Sequence, residues 1–183
     1  MDGPCMADEK KEPWLNYLAL TTVLLAVCAT LSTFKGGGYS TRSLLSQTQA
    51  SDQWAFYQAK SLKGYIYEMS RDSLQLELKA QGSKLAPHVK SEYEKKIEDY
   101  GQKIATYDTE KKQIQAGAKK LEDARDDAKT HGQAFSFAVI FLQIAILLCS
   151  IAALMKKKPL WFLGSAVGLV GVVYFLNGFF LWF

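Results

Sequence analysis

Charged and apolar residues are separated along this chain instead of being mixed. Three stretches contain no Asp, Glu, Lys or Arg, namely residues 14–34, 133–155 and 159–183. Each is at least as long as the roughly 20 residues that a helix needs to cross the hydrocarbon core of a bilayer. The sequence therefore predicts three transmembrane helices, preceded by a polar tail at 1–13 and with a basic loop at 156–158 between the last two.

The segment between the first two apolar stretches is highly charged. Residues 35–132 carry 17 of the 22 Lys and Arg residues and 14 of the 18 Asp and Glu residues. Such a composition belongs in water, so we expect this segment to be a soluble part of the protein. Near its middle, residues 82–87 combine glycine, serine and proline, and Pro87 is suited to the first position of a helix. The pattern predicts two helices joined by a turn near 82–87.

Residues spaced alternately by three and four positions indicate how these two helices pair. The second helix carries the seam Tyr93, Ile97, Tyr100, Ile104, Tyr107, Lys111, Ile114, Ala118, Leu121, Arg125 and Ala128. The first helix carries a weaker seam formed by Leu45, Thr48, Asp52, Ala55, Ala59, Leu62, Ile66, Met69, Ser73, Leu76 and Ala80. We expect an all-α membrane protein with three transmembrane helices and, between the first two, a long antiparallel coiled-coil hairpin.

Glycines mark the places where the hairpin would meet the spans. Gly36, Gly37 and Gly38 are consecutive, and a glycine inside a helix costs about 1 kcal/mol relative to alanine. The sequence therefore predicts a break in the first helix at this point. Gly132 stands alone on the other arm, so we expect that arm to continue into its span.

Aromatic residues on the first arm are the candidates for packing and for assembly. Folding the two arms about the turn places Trp54 opposite Gly117, so that a large side chain meets a small backbone patch. We expect these two residues to set the register of the hairpin. Phe56, Tyr57 and Lys60 cannot all be covered by the same arm, and the sequence predicts that they face a second copy or a partner protein.

The third apolar stretch contains a small-xxx-small pair, Gly164 and Gly168, which is continued by Gly171. Glycines at this spacing let another helix approach closely. Both packing within the chain and dimerisation are compatible with the pattern, and we include Gly164 and Gly168 in the predicted oligomer interface.

Lysines in short loops indicate the orientation of the spans, because such residues favour the cytoplasmic side. Lysines occupy the short loop at 156–158, and Lys10 and Lys11 precede the first span. We therefore expect the N-terminus and this loop on the cytoplasmic side, with the hairpin and the C-terminus on the opposite side.

Side chains suited to catalysis or metal binding are sparse. The two histidines, His88 and His131, are separated by the length of an arm, and no charged residue lies inside a predicted span. An acidic cluster could collect a divalent cation, although a solvated face is the simpler interpretation; it comprises Glu122, Asp123, Asp126 and Asp127. The net charge of +4 is too evenly spread to indicate nucleic-acid binding. We expect no enzyme activity, cofactor, metal or small-molecule substrate.

One segment carries a resemblance to a known family. Residues 54–60, within 49–61, have the sequence Trp-Ala-Phe-Tyr-Gln-Ala-Lys, and the chain is similar there to a bacterial family catalogued as domain of unknown function 4337. The similarity extends over nearly the whole chain. It implies a bacterial membrane protein, and it supplies no functional residues. From the resemblance together with the orientation predicted from the lysines, we expect a multi-pass protein of the bacterial inner membrane with the hairpin and the C-terminus in the periplasm.

Together these patterns favour a non-enzymatic integral membrane protein that assembles through helix packing. It would act as a homo-oligomeric scaffold or as an accessory subunit of a larger membrane complex. The alternative is a pore or transport component formed by oligomerisation, in which Gln143 and Asn177 would be the polar groups within the spans.

Overall fold

The structure, a computed structural model, describes residues 13–81 and 84–182. These residues form three helices, α1 (Pro13–Gln81), α2 (Pro87–Met155) and α3 (Lys158–Phe180), with no strand among the described residues. All three are long and apolar enough, over part of their length, to cross a membrane. The predicted N-terminal tail lies outside the described residues except for Pro13, as do residues 82 and 83 of the predicted turn.

Prolines lie at the starts of α2 and α3, and backbone hydrogen bonds close the connections. Pro87 is the first residue of α2 and Pro159 is the second residue of α3, where the missing N–H leaves no helical bond unmade. At the end of α2, Lys156 adopts a positive φ of 49°, and the Lys157 N–H donates to the Ala152 carbonyl at 3.2 Å. This left-handed residue reverses the chain so that α3 can begin at Lys158.

The chain divides into two compact units, which we call the bundle unit and the hairpin unit. The bundle unit comprises the described residues up to Ser43 and those from Asp127 onward. The hairpin unit is Leu44–Asp126. In the hairpin unit, α1 and α2 pack closely as antiparallel arms, which confirms the predicted fold class.

The core of the bundle unit is formed where α2 meets small residues of its neighbours. Leu142, Ala145 and Cys149 on α2 are fully buried, and they pack with Leu25 and Ala29 of α1, which are also buried. The glycines of α3 face this core, and an added side-chain carbon at Gly171 would lie 2.8 Å from Leu142 Cγ. The three helices are therefore held together by large residues that fit against bare backbone.

The predicted break at Gly36, Gly37 and Gly38 is wrong, because α1 is helical through all three residues. Gly36 lies against α2, where an added Cβ would be 3.1 Å from Phe135 Cβ. On the facing helix, an added Cβ at Gly132 would be 3.8 Å from the backbone nitrogen of Ser40. Close packing at these glycines offsets their poor helix propensity. The expectation that α2 continues through Gly132 is confirmed.

Hydroxyl groups in the apolar part of α1 are satisfied within the helix. Thr22 donates to the Leu18 carbonyl, Ser32 to Cys28 and Thr33 to Ala29, all at 2.8–2.9 Å. An unpaired hydroxyl would be costly in hydrocarbon, where no water can replace the missing bond. These bonds are what allow the polar residues of α1 to lie in a segment suited to a membrane.

The predicted α1 seam, Leu45 through Ala80, is wrong as the contact face of the hairpin. All eleven of its residues are exposed, whereas each of the eleven predicted residues on α2 is buried or half-buried. The α1 face that meets α2 is a second seam that includes Ser46, Ala50, Tyr57 and Tyr67. Both α1 seams have helical three-four spacing, so periodicity alone did not identify which one would be covered.

Candidate assembly surface

Trp54 joins the two arms of the hairpin, as expected, but not at Gly117. Its indole nitrogen donates to Glu122 Oε1 at 2.9 Å, and its ring meets Tyr57 edge-on with centroids 5.6 Å apart. An added Cβ at Gly117 would meet no atom within 4 Å, so Gly117 is not a position of close approach. The predicted fit of Trp54 into a groove at Gly117 is therefore replaced by a hydrogen bond to Glu122.

Lys60 also belongs to the interior of the hairpin. Its ammonium group pairs with Glu110 Oε2 at 2.5 Å and lies 5.1 Å from the centre of the Tyr107 ring. Tyr67 contacts both Tyr107 and Tyr100, with ring centroids 5.8 and 5.4 Å apart. Polar and aromatic contacts thus hold the arms together, in a pattern that the spacing of apolar residues alone does not predict.

The residues predicted to face a partner on the first arm therefore separate into two groups. Tyr57 and Lys60 are half-buried and have partners within the hairpin unit. Phe56 is exposed, and the Lys60 ammonium lies over its ring, 5.6 Å from the centroid. Of the three, only Phe56 remains available to another molecule.

The exposed seam of α1 forms a continuous surface, which we call the outer stripe. It consists of Leu45, Thr48, Asp52, Ala55, Ala59, Leu62, Ile66, Met69, Ser73, Leu76 and Ala80, and Phe56 and Tyr65 flank it. Within it, Leu62, Met69 and Leu76 are 61%, 74% and 67% exposed. Among the described residues of the hairpin unit, every exposed large apolar side chain lies on α1 and none on α2.

The glycines of the predicted oligomer interface are covered by the chain itself. An added Cβ at Gly164 would lie 3.0 Å from Cys149 Sγ, and one at Gly168 would lie 2.8 Å from Leu25 Cδ2. Both glycines are buried in the bundle unit. The assignment of Gly164 and Gly168 to an interface between copies is therefore corrected to packing of α3 against α1 and α2.

His131 ties the end of α3 to α2, a role that the sequence did not signal. Its Nδ1 lies 2.8 Å from the Gly178 carbonyl oxygen, and its ring stacks on Tyr39 with centroids 4.7 Å apart. Asp127 lies one turn away, with its carboxylate 3.8 Å from Nε2. His131 therefore contributes to the packing of α3 against α2.

Neighbouring carboxylates shift the pKa of ionisable groups in the hairpin unit. The Glu77 carboxylate, chiefly through its charge, raises the pKa of Tyr93 on the opposite arm. A hydrogen bond to Asp108 raises the pKa of Lys111. No group of three or more His, Cys, Asp or Glu residues among the described residues is arranged to hold a metal ion. Within the acidic cluster, Glu122 accepts a hydrogen bond from Trp54, and Asp126 pairs with Arg125.

The two polar groups that the pore alternative uses lie in different environments. Asn177 is buried, and its Oδ1 accepts the backbone N–H of Trp182 at 2.7 Å, at the end of α3. Gln143 lies on the exposed face of α2.

Comparison with known proteins assigns the chain to a family. The model of a domain of unknown function (DUF4337) matches residues 14–181. The chain belongs to this family. The match covers α2, α3 and all of α1 after Pro13, so the outer stripe of this DUF4337 protein lies within the region shared by the family. No curated protein and no solved structure matches the chain.

Proposed function

We propose that this DUF4337 protein is a non-enzymatic integral membrane protein that assembles with other chains through its hairpin. It would act as a homo-oligomeric scaffold or as an accessory subunit of a larger membrane complex. The observation that carries the proposal is the outer stripe, where large apolar side chains on one face of α1 are left without cover. Exposed apolar surface of this extent on a water-soluble segment is typical of an interaction site.

The three apolar helices support placement in a membrane. In the proposed arrangement the protein lies in a bacterial inner membrane, with its N-terminus and residues 156–158 in the cytoplasm. The hairpin and the C-terminus are then periplasmic. The support for this orientation is the cluster of lysines in the short connection between α2 and α3, since such residues favour the cytoplasmic side.

A role without catalysis is supported by the way the polar residues are used. Lys60, Glu110 and Glu122 connect the arms of the hairpin, and His131 fastens the end of α3. Each of these groups has a structural contact, and catalysis would require instead that an acid, a base or a nucleophile converge on one open site.

The proposal is tested by measuring whether the full-length chain remains in membranes and whether it associates there with other protein chains. Alkaline carbonate should leave the protein in the membrane pellet, and native mass spectrometry of gently solubilised membranes should show a mass above that of one 20.4 kDa chain. Leu62→Ser with Met69→Ser should lower that mass without releasing the protein from the membrane. Release of the protein by carbonate would contradict the membrane assignment. A monomeric mass with no associated protein would contradict assembly.

A further inference from the structure

We propose that the bundle unit binds an anionic phospholipid on the exposed face of α1 where the uncharged stretch ends. The phosphate group lies between Lys35 and Arg42, above Gly38, and an acyl chain lies along Leu31 and Phe34. This inference rests on the membrane placement in the proposed function and not on assembly through the hairpin. It goes beyond that function by naming a ligand and the residues that bind it.

A concave surface on α1, which we call the glycine notch, is lined by Phe34, Lys35, Gly37 and Gly38 among other residues. Its volume is about 590 Å³. An added Cβ at either glycine would meet no atom within 4 Å. Glycine is a poorer helix former than alanine, and at these two open positions it leaves a space that the described part of this chain does not fill.

Two positively charged side chains flank the glycine notch without an ionic partner. Lys35, Gly38 and Arg42 are spaced by three and four residues, so they share one face of α1, with the two cations about 10 Å apart along the helix axis. Neither cation forms an ion pair among the described residues. The Lys35 ammonium lies over the Phe179 ring, 5.9 Å from its centroid, and this contact does not neutralise its charge. A phosphate group above Gly38 would supply the missing negative charge.

The charge of the bundle unit favours an anionic ligand. Its described residues include six Lys or Arg residues and a single acidic residue, Asp127. The Asp127 carboxylate lies 3.8 Å from His131 Nε2 on the same helix. From Pro13 to Ser51, α1 contains no Asp or Glu. Basic residues beside a membrane attract anionic headgroups, and on α1 no carboxylate of the bundle unit would repel one.

The position of the glycine notch identifies the anion as part of a lipid. Lys35 is the first charged residue after the uncharged stretch 14–34, so the notch lies where hydrocarbon meets headgroups in the proposed membrane. Val27, Leu31 and Phe34 continue the same face of α1 into the uncharged stretch and are 52%, 47% and 77% exposed. A phospholipid can contact both parts of this face, whereas a free phosphate can contact only the cations.

Native mass spectrometry of the full-length protein in a nonionic detergent tests the preference for an anionic headgroup. Dioleoyl phosphatidylglycerol and dioleoyl phosphatidylcholine are added at equal concentration, because they share acyl chains and differ in net charge. The phosphatidylglycerol adduct should be more abundant by at least about fivefold. Equal adducts of the two lipids would overturn the proposal.

Substitutions that remove charge locate the binding site. Arg42→Gln should lower the affinity for phosphatidylglycerol about fivefold, and Lys35→Gln with Arg42→Gln about 30-fold, since each cation contributes a similar attraction. Lys63→Gln removes the same charge from an exposed position of the hairpin unit and is the matched control, with unchanged affinity. The single variant keeps the contact between Lys35 and Phe179, so its result does not depend on that contact. An equal loss in the control, or no loss in the variants of the notch, would overturn the assignment.

Filling the glycine notch tests whether the space above Gly38 is used. Gly38→Leu keeps both cations and adds a side chain to open space, so it should weaken phosphatidylglycerol binding at least about fivefold while helix content stays the same. Gly117→Leu, at a glycine of α2 where an added Cβ also meets no atom within 4 Å, should leave binding unchanged. Unchanged binding in Gly38→Leu would overturn the placement of the phosphate.

Inorganic phosphate, added in place of lipid, distinguishes a lipid site from a site for a free anion. The wild-type protein should show no phosphate adduct that depends on Lys35 and Arg42. A phosphate adduct that the double variant loses would overturn the lipid assignment.

Failure of this inference is distinct from failure of the proposed function. Equal binding of the two lipids by a chain that carbonate leaves in membranes overturns the lipid site alone. A monomeric mass with no associated protein overturns assembly and leaves the lipid site standing. A chain that carbonate releases from membranes overturns both.

Discussion

The bundle unit and the hairpin unit use their apolar residues in opposite ways. In the bundle unit, exposed apolar side chains occur on all three helices, as expected for a surface in contact with hydrocarbon, while the interior is closed by glycines against Leu25, Leu142 and Phe135. In the hairpin unit, polar and aromatic contacts lie between the arms, and the exposed apolar side chains lie on one helix. An exposed apolar residue in the bundle unit is therefore interpreted as a contact with lipid, because the proposed solvent there is hydrocarbon. In the hairpin unit the proposed solvent is water, so an exposed apolar residue indicates an interaction site.

The largest loss of stability should come from substitution of a glycine of the bundle unit. An added Cβ at Gly171 would lie 2.8 Å from Leu142 Cγ and 3.0 Å from the backbone nitrogen of the same residue. Gly171→Ala should therefore lower the free energy of unfolding by about 1–3 kcal/mol, since the helices must move apart. Thermal unfolding in detergent, followed by circular dichroism, measures the change.

The matched control is the same substitution at a glycine with open space around it. An added Cβ at Gly37 would meet no atom within 4 Å, and α1 is helical there. Gly37→Ala should leave stability unchanged or raise it by up to about 1 kcal/mol, through helix propensity alone. Equal destabilisation by both substitutions would show that the distinction between covered and uncovered glycines is wrong.

The next effect concerns the polar interior of the hairpin unit. Trp54→Ala removes the hydrogen bond to Glu122 and the contact with Tyr57, and should destabilise the hairpin by about 2 kcal/mol, less than the loss of a fully buried tryptophan. Trp54→Phe, which loses the hydrogen bond and keeps a ring, should cost about 1 kcal/mol. Hydrogen exchange of amides near residue 54 in the full-length protein measures both.

Substitutions at two adjacent residues should distinguish the interior of the hairpin from its exposed surface. Tyr57→Ser should accelerate hydrogen exchange in the hairpin, because Tyr57 packs on Trp54. Phe56→Ser should change hairpin stability by no more than about 0.5 kcal/mol, as for an exposed site, while lowering the yield of the assembled species on native gels. If both variants lose the hairpin equally, Phe56 is part of the core and not of the assembly surface.

The smallest effect is a pH dependence of the contact between Glu77 and Tyr93. The pKa of Tyr93 is raised in the folded state, so its contribution is present below the ordinary tyrosine value of 10.0 and is lost as the pH rises through the raised pKa. Absorbance titration of the phenol should show this raised midpoint. Glu77→Gln should return it toward the ordinary value, and an unchanged midpoint in that variant would assign the shift to another cause.

The main elements of the fold follow from local features of the sequence. Three uncharged stretches are long enough for a bilayer, and prolines at 87 and 159 lie at the starts of helices because that position needs no N–H. The exposure of Phe56 also agrees with the sequence-based prediction that some aromatic residues of the first arm would lack cover. These features depend on composition and on residues adjacent in the chain, which is why they could be predicted.

Tertiary structure decided which faces are covered. Helical periodicity shows that Leu62 and Ile66 share one face and that Tyr57 and Lys60 belong to another, but both faces repeat with the same spacing. The choice depended on partners distant in the chain, since Glu110, Glu122 and Tyr107 of α2 bind the more polar face of α1. In the same way, Gly36 and Gly168 are helical packing sites because Phe135 and Leu25 lie against them. A sequence pattern determines which residues lie together on a helix surface, whereas contact between helices determines which surface is buried.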